Sequence, residues 1–324
     1  MNFKLLLFLF LAVSLPLKSE MIGSYFSGKI NDKEIWLKLD IEGDSLSAEL
    51  SISDKVAAIP LIGTFDSIDN SVFLQNLKSQ IILTGKYFDR KHEIVGKMQL
   101  DSAEYELHLQ EFASVLHSQN NMNRLKTTVE FPVFVERIDF LAKLNEFQQK
   151  DLVQKTNEFF AEGLQQWQDS SEFFNGYEMF LQNEIEFLAD GLVSLLQTDY
   201  EFTGGAHGNT AFHVFNFSPE NDTLETINLS DFFIPESDYL PQISNLCISN
   251  LKQQNASYVI DGSVESVSEE YLKIFTFNRN YLIFYFEQYI MGCYAEGTFR
   301  IAIPWQELKS ILQTNELTDK IIKK

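Results

Sequence analysis

The sequence predicts an α+β protein, with an antiparallel β-rich domain followed by a domain of helices packed on a mostly antiparallel sheet. Short alternating segments run up to about residue 112, a helical spacing covers residues 142–168, and strand patterns return from residue 184. At 324 residues and 45% hydrophobic, the chain is long enough for roughly two domains with buried cores.

The first segment is typical of an export signal. Lys4 precedes an apolar run from Leu5 to Leu17, and Ser19 supplies a small residue at which cleavage can follow. The sequence therefore predicts a signal peptide over residues 1–19 and a periplasmic or secreted protein. The run is too short to span a membrane comfortably, and no later segment is apolar enough, so we expect no stable span after cleavage. An uncleaved anchor is the alternative.

Residues 20–112 predict the β domain. In "IWLKLDI" the residues Ile35, Leu37, Leu39 and Ile41 share one face, and later segments alternate in the same way between Gly, Asp, Asn and Ser turns. This regular spacing is typical of a meander or a small barrel. The polar segment 113–123 is the predicted linker.

Residues 124–324 predict the α+β domain. A helix is expected over residues 142–168, a hairpin at Asp190-Gly191, and a second helix over residues 238–255. The end of the chain then predicts strand, Asn-Arg-Asn turn, strand, loop, strand and a short helix.

The net charge of −21 argues against a nucleic-acid partner, because phosphates require cationic contacts. An acidic surface would instead attract a basic partner, although solubility alone also explains the charge. The two cysteines, Cys247 and Cys293, leave two alternatives, a disulfide bond or two free thiols.

Three motifs in the second half occur in a recognisable order. They are "YEFTGGAHG" (residues 200–208), "LSDFF" (residues 229–233) and "YIMGCYAEG" (residues 289–297), and Ile-Pro follows at 303–304. This set resembles the C-terminal domain of unknown function shared by the anti-sigma factor RsiV and the peptidoglycan deacetylase PdaC. The resemblance covers about residues 124–313, with a preceding subdomain at 124–190 and the C-terminal subdomain at 191–313. It implies an extracellular domain that binds lysozyme, a basic protein, and it brings no catalytic residues.

The loop at residues 204–209 is open to three interpretations. Gly204, Gly205 and Gly208 allow positive φ and close backbone approach, and His207 and Asn209 can bond the backbone groups of such a turn. The loop could also contact a partner through Tyr200 and His207, since aromatic side chains on loops make good anchors. A catalytic or metal-binding loop is the third interpretation. His207 and His213 show no tight ligand spacing, so no metal site and no cofactor is predicted.

A second candidate loop contains Tyr289, Tyr294 and Glu296, which combine aromatic and acidic groups suited to a cationic protein or a glycan. The alternative is that these tyrosines are half buried around a core. The sequence thus favours a non-catalytic envelope protein that binds a lysozyme-like basic protein or peptidoglycan. An envelope glycan hydrolase or deacetylase centred on His207, and a purely structural envelope protein, are the alternatives.

Overall fold

The computed structural model describes residues 18–53, 58–135, 139–170, 175–189, 191–220 and 223–322. By its contacts the chain forms two compact units. One comprises residues 18–118 and 130–145, and the other comprises residues 119–129 and 146–322 of the described chain. We call them the barrel unit and the C-terminal unit. The predicted fold class is confirmed. The predicted signal peptide lies outside the described residues except for its last two positions.

Closed antiparallel pairing defines the barrel unit. In this part of the described chain the strands are β1 (Lys18–Ile30), β2 (Lys33–Glu42), β3 (Ser45–Ile52), β4 (Ile59–Asp66), β5 (Ser71–Asn76), β6 (Ile81–Phe88), β7 (Glu93–Leu100) and β8 (Ala103–Met122). Each strand pairs antiparallel with the next one. Because β1 also pairs with β8, the sheet closes into a barrel.

The predicted alternation accounts for the interior of the barrel. Ile35, Leu37 and Leu39 of β2 are buried, whereas Ile41 at the end of that strand is 40% exposed. In β3 every second residue is buried, which gives the two-residue period of a sheet with one dry face. Aliphatic side chains from all eight strands fill the core in this way.

The linker prediction for residues 113–123 is wrong at the level of secondary structure, because β8 continues as strand through Met122. Burial alternates from Leu107 to Ala113, residues 114–118 are half buried and Asn120 is buried, so this polar segment is a partly buried strand rather than an exposed loop. The predicted domain boundaries themselves stay predictions.

A buried carboxylate ties three strands of the barrel together. Glu111 of β8 accepts hydrogen bonds from Ser24 Oγ (2.7 Å), Tyr87 Oη (2.9 Å) and Ser114 Oγ (2.7 Å), and its Oε2 lies 2.9 Å from His92 Nδ1. Burial alone would raise the pKa of Glu111, but these hydrogen bonds outweigh it and lower the pKa. The group therefore stays a carboxylate, and its partners come from β1, β6 and the turn before β7.

Two glycines let β6 and β7 approach closely. Gly85 lies directly opposite Gly96 in the register, and a Cβ atom on Gly96 would collide with the carbonyl oxygen of Thr84 and with the Cα atom of Gly85. The clash is with backbone, which cannot move aside as a flexible side chain would. Glycine is thus a packing requirement where these two strands face each other.

We expect Gly96→Val to destabilise the barrel unit by about 2 kcal/mol, since it overpacks a backbone contact. Urea unfolding of the purified protein measures this. The control is Gly43→Asn at an open left-handed turn (φ +61°), where nothing lies within 4 Å of an added Cβ and asparagine is tolerated. A Gly96→Val protein as stable as this control would contradict the packing argument.

The C-terminal unit contains a long helix, a hairpin sheet and a three-stranded sheet. Its described elements, two of which begin or end in the barrel unit, are β9 (Leu125–Phe134), α1 (Asp139–Ser170), β10 (Tyr177–Ala189), β11 (Leu192–Phe202), β12 (Asn209–Glu220), β13 (Thr223–Thr226), α2 (Tyr239–Gln253), α3 (Ser257–Ile260), α4 (Glu269–Leu272), β14 (Phe275–Phe277), β15 (Tyr281–Phe286), β16 (Phe299–Pro304), α5 (Trp305–Leu308) and α6 (Glu316–Ile321). The predicted helices, the hairpin around Gly191 and the closing strand order are confirmed.

Strands β10, β11, β12 and β13 pair antiparallel in sequence order, as do β14, β15 and β16. The register places Asn183, Gln197 and His213 side by side on one face of the hairpin sheet, and Gln182, Thr198 and Phe212 on the other face. The first face carries side chains that contact α1. A core rich in phenylalanine packs α2, the three-stranded sheet and α5 together.

The two cysteines are free thiols. Cys247 of α2 is completely buried in the core, and this burial raises its pKa to about 12. Cys293 is exposed at the start of a 3-10 turn formed by Tyr294–Glu296. The sequence left a disulfide bond or two free thiols as alternatives. The structure shows two free thiols, because Cys247 lies inside the core and Cys293 lies on the surface.

Candidate functional site

The loop between β11 and β12 is the glycine-built turn that the sequence predicts. Gly204 and Gly205 have φ angles of +95° and +94°, which glycine adopts without a steric penalty. Gly208 is buried, and a Cβ atom there would lie 2.6 Å from the Tyr200 hydroxyl and from the carbonyl oxygen of Glu201. Two glycines thus shape the loop and the third allows Tyr200 to pack beneath it.

His207 at the tip of this loop meets the second candidate loop. Its ring stacks on Tyr294, with 3.6 Å between the ring centroids and 18° between the planes. Its Nε2 lies 3.1 Å from the Tyr289 hydroxyl, and its Nδ1 lies 3.2 Å from the carbonyl oxygen of Gly208. The Tyr294 hydroxyl donates to that same carbonyl at 2.8 Å. We call Tyr200, His207, Tyr289 and Tyr294 the aromatic cluster.

The aromatic cluster is open to solvent. His207 is exposed, Tyr289 is 51% exposed, and Tyr200 and Tyr294 are half buried. Tyr289 has a φ of +67°, a left-handed conformation that is costly for a bulky side chain. In this conformation the ring of Tyr289 lies beside the rings of His207 and Tyr294, with centroid distances of 6.2 and 5.7 Å.

Side chains hold the second loop against the edge of β12. The Thr210 N–H donates to Gln288 Oε1, and the Phe212 N–H donates to Glu287 Oε1, each at 3.0 Å. These two oxygens take the place of the carbonyls of a neighbouring strand, because they accept from every second residue. The loop that carries Tyr289 and Tyr294 is therefore fixed to the strand that follows His207.

Glu296 and Asn209 stand apart from the cluster. Glu296 accepts from Ser257 Oγ at 2.6 Å and from the Cys293 N–H at 2.8 Å, and the Ser257 hydrogen bond is the main cause that lowers its pKa. Its carboxylate thus caps the 3-10 turn beneath Tyr294. Asn209 begins β12 opposite Glu201 and closes the base of the loop.

The face of the hairpin sheet toward α1 holds a polar network that sequence reasoning missed. Lys155 Nζ donates to Gln197 Oε1 at 2.5 Å and to Asp199 Oδ2 at 3.2 Å. Gln197 Nε2 donates to Asp151 Oδ2 at 2.9 Å, and His213 Nε2 lies 3.8 Å from Asp199 Oδ2. Oδ1 of Asp199 is buried and accepts no hydrogen bond from the described residues.

Burial and neighbouring charges shift the pKa values of His213 and of the nearby Glu201. Burial and then Lys155 lower the pKa of His213, although Asp199, Asp151 and Glu287 oppose them. The pKa of Glu201 is raised, first by burial and then by Asp199 and by Glu162 on α1. His207 and His213, paired in the metal hypothesis, therefore belong to different surroundings. Across the described chain no group of three or more His, Cys, Asp or Glu side chains is arranged to hold a metal ion.

We expect Glu201→Gln to stabilise the protein by about 0.5 kcal/mol at pH 7.5, a small gain because water screens a half-exposed carboxylate. A carboxyl with a raised folded-state pKa contributes stability at low pH that is lost as the pH rises through that pKa. The gain over wild type should therefore vanish near pH 4. Thermal melts from pH 4 to 8 test this, and a gain that grows toward acid would contradict it.

The sequence contained only a weak signal for the polar network. Gln197, Asp199 and Glu201 alternate along β11, but they follow an apolar stretch, and the α1 partners of Gln197 and Asp199 lie more than 40 residues earlier. An alternating polar face is also what an exposed strand shows, so the pattern alone cannot distinguish water from a helix as its neighbour.

The residues of the aromatic cluster lie in two segments of the chain that match known protein families. A family described as "Deacetylase PdaC" matches residues 118–210, and one described as "Protein of unknown function (DUF3298)" matches residues 230–306. The resemblance that the three motifs indicate is thereby confirmed. The first segment contains Tyr200 and His207, and the second contains Tyr289 and Tyr294.

One curated relative is "Peptidoglycan-N-acetylmuramic acid deacetylase PdaC" of Bacillus subtilis (strain 168). It is 24% identical over 228 residues, which are 69% of this chain and 45% of the relative, so the match spans less than half of that protein.

Solved structures of DUF3298-family proteins are also similar. One from Bacteroides fragilis NCTC 9343 is 16% identical, with a TM-score of 0.45 over 65% of this chain and 96% of that chain. Another from Pseudomonas aeruginosa PAO1 is 19% identical, with a TM-score of 0.43 over 62% of this chain and 94% of that chain. In the described part of this chain, no helix has the length and hydrophobicity that a membrane span requires.

Proposed function

We propose that this PdaC- and DUF3298-like chain is an exported, non-catalytic binding protein of the cell envelope. Its aromatic cluster is the contact surface for a basic, lysozyme-like protein. The observation that carries the proposal is the meeting of His207 with Tyr289 and Tyr294, some 80 residues apart in the sequence, in one solvent-exposed stack. Exposed tyrosines held rigidly on loops are typical anchors of protein interfaces.

The charge of the chain favours a cationic partner. A net charge of −21 would attract a basic protein over several ångströms and raise its association rate. The contact itself would come from the aromatic rings, since Glu296 is engaged in capping its own turn. We therefore expect salt to slow association, while the loss of a tyrosine accelerates dissociation.

The arrangement of His207 supports binding more than catalysis. Both of its ring nitrogens bond within the loops, to Tyr289 and to the backbone of Gly208. A general base must instead reach a substrate proton with a free nitrogen.

Isothermal titration of the purified protein with hen lysozyme at 50 and 200 mM NaCl tests the proposal. We expect saturable binding at 50 mM and weaker binding at 200 mM, because exposed charges are screened over about 10 Å at 0.1 M salt. No heat of binding and no inhibition of lysozyme at 50 mM would contradict it.

Peptidoglycan is the second candidate ligand, since the PdaC relative is a peptidoglycan-N-acetylmuramic acid deacetylase. Co-sedimentation with purified sacculi, together with an assay for released muropeptides and acetate, separates the outcomes. Co-sedimentation without release favours a glycan-binding role. Release that is lost in His207→Ala would favour the enzyme alternative.

A further inference from the structure

The hydrogen bonds of the aromatic cluster have a fixed direction. A carbonyl oxygen can only accept, so the hydrogen bond between His207 and Gly208 requires a proton on Nδ1 of the imidazole. In the neutral ring Nε2 then carries no proton and is an acceptor. The Tyr289 hydroxyl, 3.1 Å away, must therefore donate its proton to Nε2.

The second tyrosine is oriented by the same carbonyl. The Tyr294 hydroxyl donates to Gly208 O at 2.8 Å, and a carbonyl oxygen has two lone pairs, so it can accept from His207 and Tyr294 together. Both phenols thus direct their protons into the cluster. Each phenolic oxygen keeps lone pairs that its own inward hydrogen bond does not use.

The tyrosine rings of the cluster can also attract a cation. The ring of Tyr289 is half exposed and lies 5.7 Å from that of Tyr294, centroid to centroid, while His207 covers one face of Tyr294. The negative face of a tyrosine ring attracts cations, and arginine is the commonest cation in such contacts. Phenolic oxygens with free lone pairs beside an exposed ring suit a group that is both charged and rich in N–H donors.

We propose, resting on the proposed function, that Tyr289 and Tyr294 act as a pair of hydrogen-bond acceptors that bind the guanidinium or ammonium group of a basic partner. Tyr289 is the specificity-determining residue. His207 is a positioning residue, because its Nδ1–H tautomer forces the Tyr289 proton inward. A neutral ligand of the same shape gains less, since it lacks the charge that the ring face attracts.

The tautomer of His207 is the first test, and it needs no ligand. Long-range ¹H–¹⁵N correlation spectra of the imidazoles at pH 8.0 separate protonated from bare ring nitrogens, and a His207→Gln protein assigns the signal. We expect a protonated Nδ1 and a bare Nε2. A protonated Nε2 would overturn the proposal.

The second test titrates the protein with acetyl-arginine amide and with acetyl-citrulline amide, its uncharged isostere, at constant ionic strength. We expect the arginine compound to shift the His207 signals with an affinity at least about fivefold higher than that of the citrulline compound. Tyr289→Ala, which removes both the acceptor oxygen and the ring face, should abolish this preference, while Trp167→Ala on α1, outside the aromatic cluster, should retain it. Equal affinities in the wild-type protein would overturn the proposal.

These measurements are separable from the lysozyme experiment. If lysozyme does not bind but arginine is preferred over citrulline, the proposed partner is wrong and the acceptor pair stands. If lysozyme binds and His207 carries its proton on Nε2, the proposed function stands and the acceptor pair is wrong.

Discussion

A Tyr294→Ala protein is expected to bind lysozyme about 30-fold more weakly than wild type, which corresponds to about 2 kcal/mol. The substitution removes the ring on which His207 stacks and the hydroxyl that donates to Gly208. Because the substitution removes both the contact area of the ring and the fixed geometry of the loop, we expect a loss of affinity as large as that seen at interface hot spots.

Two variants control this experiment. Trp167→Ala removes an exposed aromatic residue of α1, 36% exposed, that lies outside the aromatic cluster, and it should leave the affinity unchanged. Tyr294→Phe keeps the ring and loses only the hydrogen bond, so its effect should be intermediate. Calorimetry at 50 mM NaCl measures all three. A Tyr294→Ala protein that binds as tightly as Trp167→Ala would place the interface elsewhere.

Replacing Glu111 by alanine is expected to destabilise the barrel unit by about 3 kcal/mol. The change leaves the hydroxyl groups of Ser24 and Tyr87 without their acceptor inside the barrel wall, and it removes the carboxylate that links β8 to β1 and β6. Hydrogen exchange of peptides from β1 and β8 reports the loss. The control is Glu104→Ala, whose solvent-screened ion pair with Lys97 should contribute little to stability.

The effect of Glu111 should depend on pH in a definite direction. Its folded-state pKa is lowered, so its contribution is present above the ordinary glutamate pKa of about 4.3 and is lost as the pH falls through the folded-state value. Wild type and Glu111→Ala should therefore become more alike in stability as the pH is lowered through the acid range. A difference that grows on acidification would contradict this account of the carboxylate.

The regular elements of the fold were predictable because their patterns are local. Alternation in β2 and β3 and the helical spacing of α1 follow from which side chains must be buried. The segment 113–123 was not, since its polar composition suits both a loop and a partly buried strand. Whether such a segment forms a loop or a strand depends on its pairing with strands distant in the sequence, which its composition does not reveal.

The site was predictable in its parts and not in its assembly. Sequence reasoning named Tyr200, His207, Tyr289 and Tyr294, and the structure brings all four together. Nothing local indicates that two loops some 80 residues apart share a hydrogen-bonded stack. Glu296 was grouped with the contact residues because an acid near tyrosines suits a basic partner, yet its carboxylate bonds its own turn.

The location of the lysozyme contact is the central claim, and a hydrogen-exchange footprint of the complex tests it most directly. Peptides covering residues 203–210 and 287–296 should exchange more slowly in the presence of saturating lysozyme, while peptides of β4 and β5 should be unchanged. Protection confined to the barrel unit, or no protection in either loop despite saturation, would contradict the account.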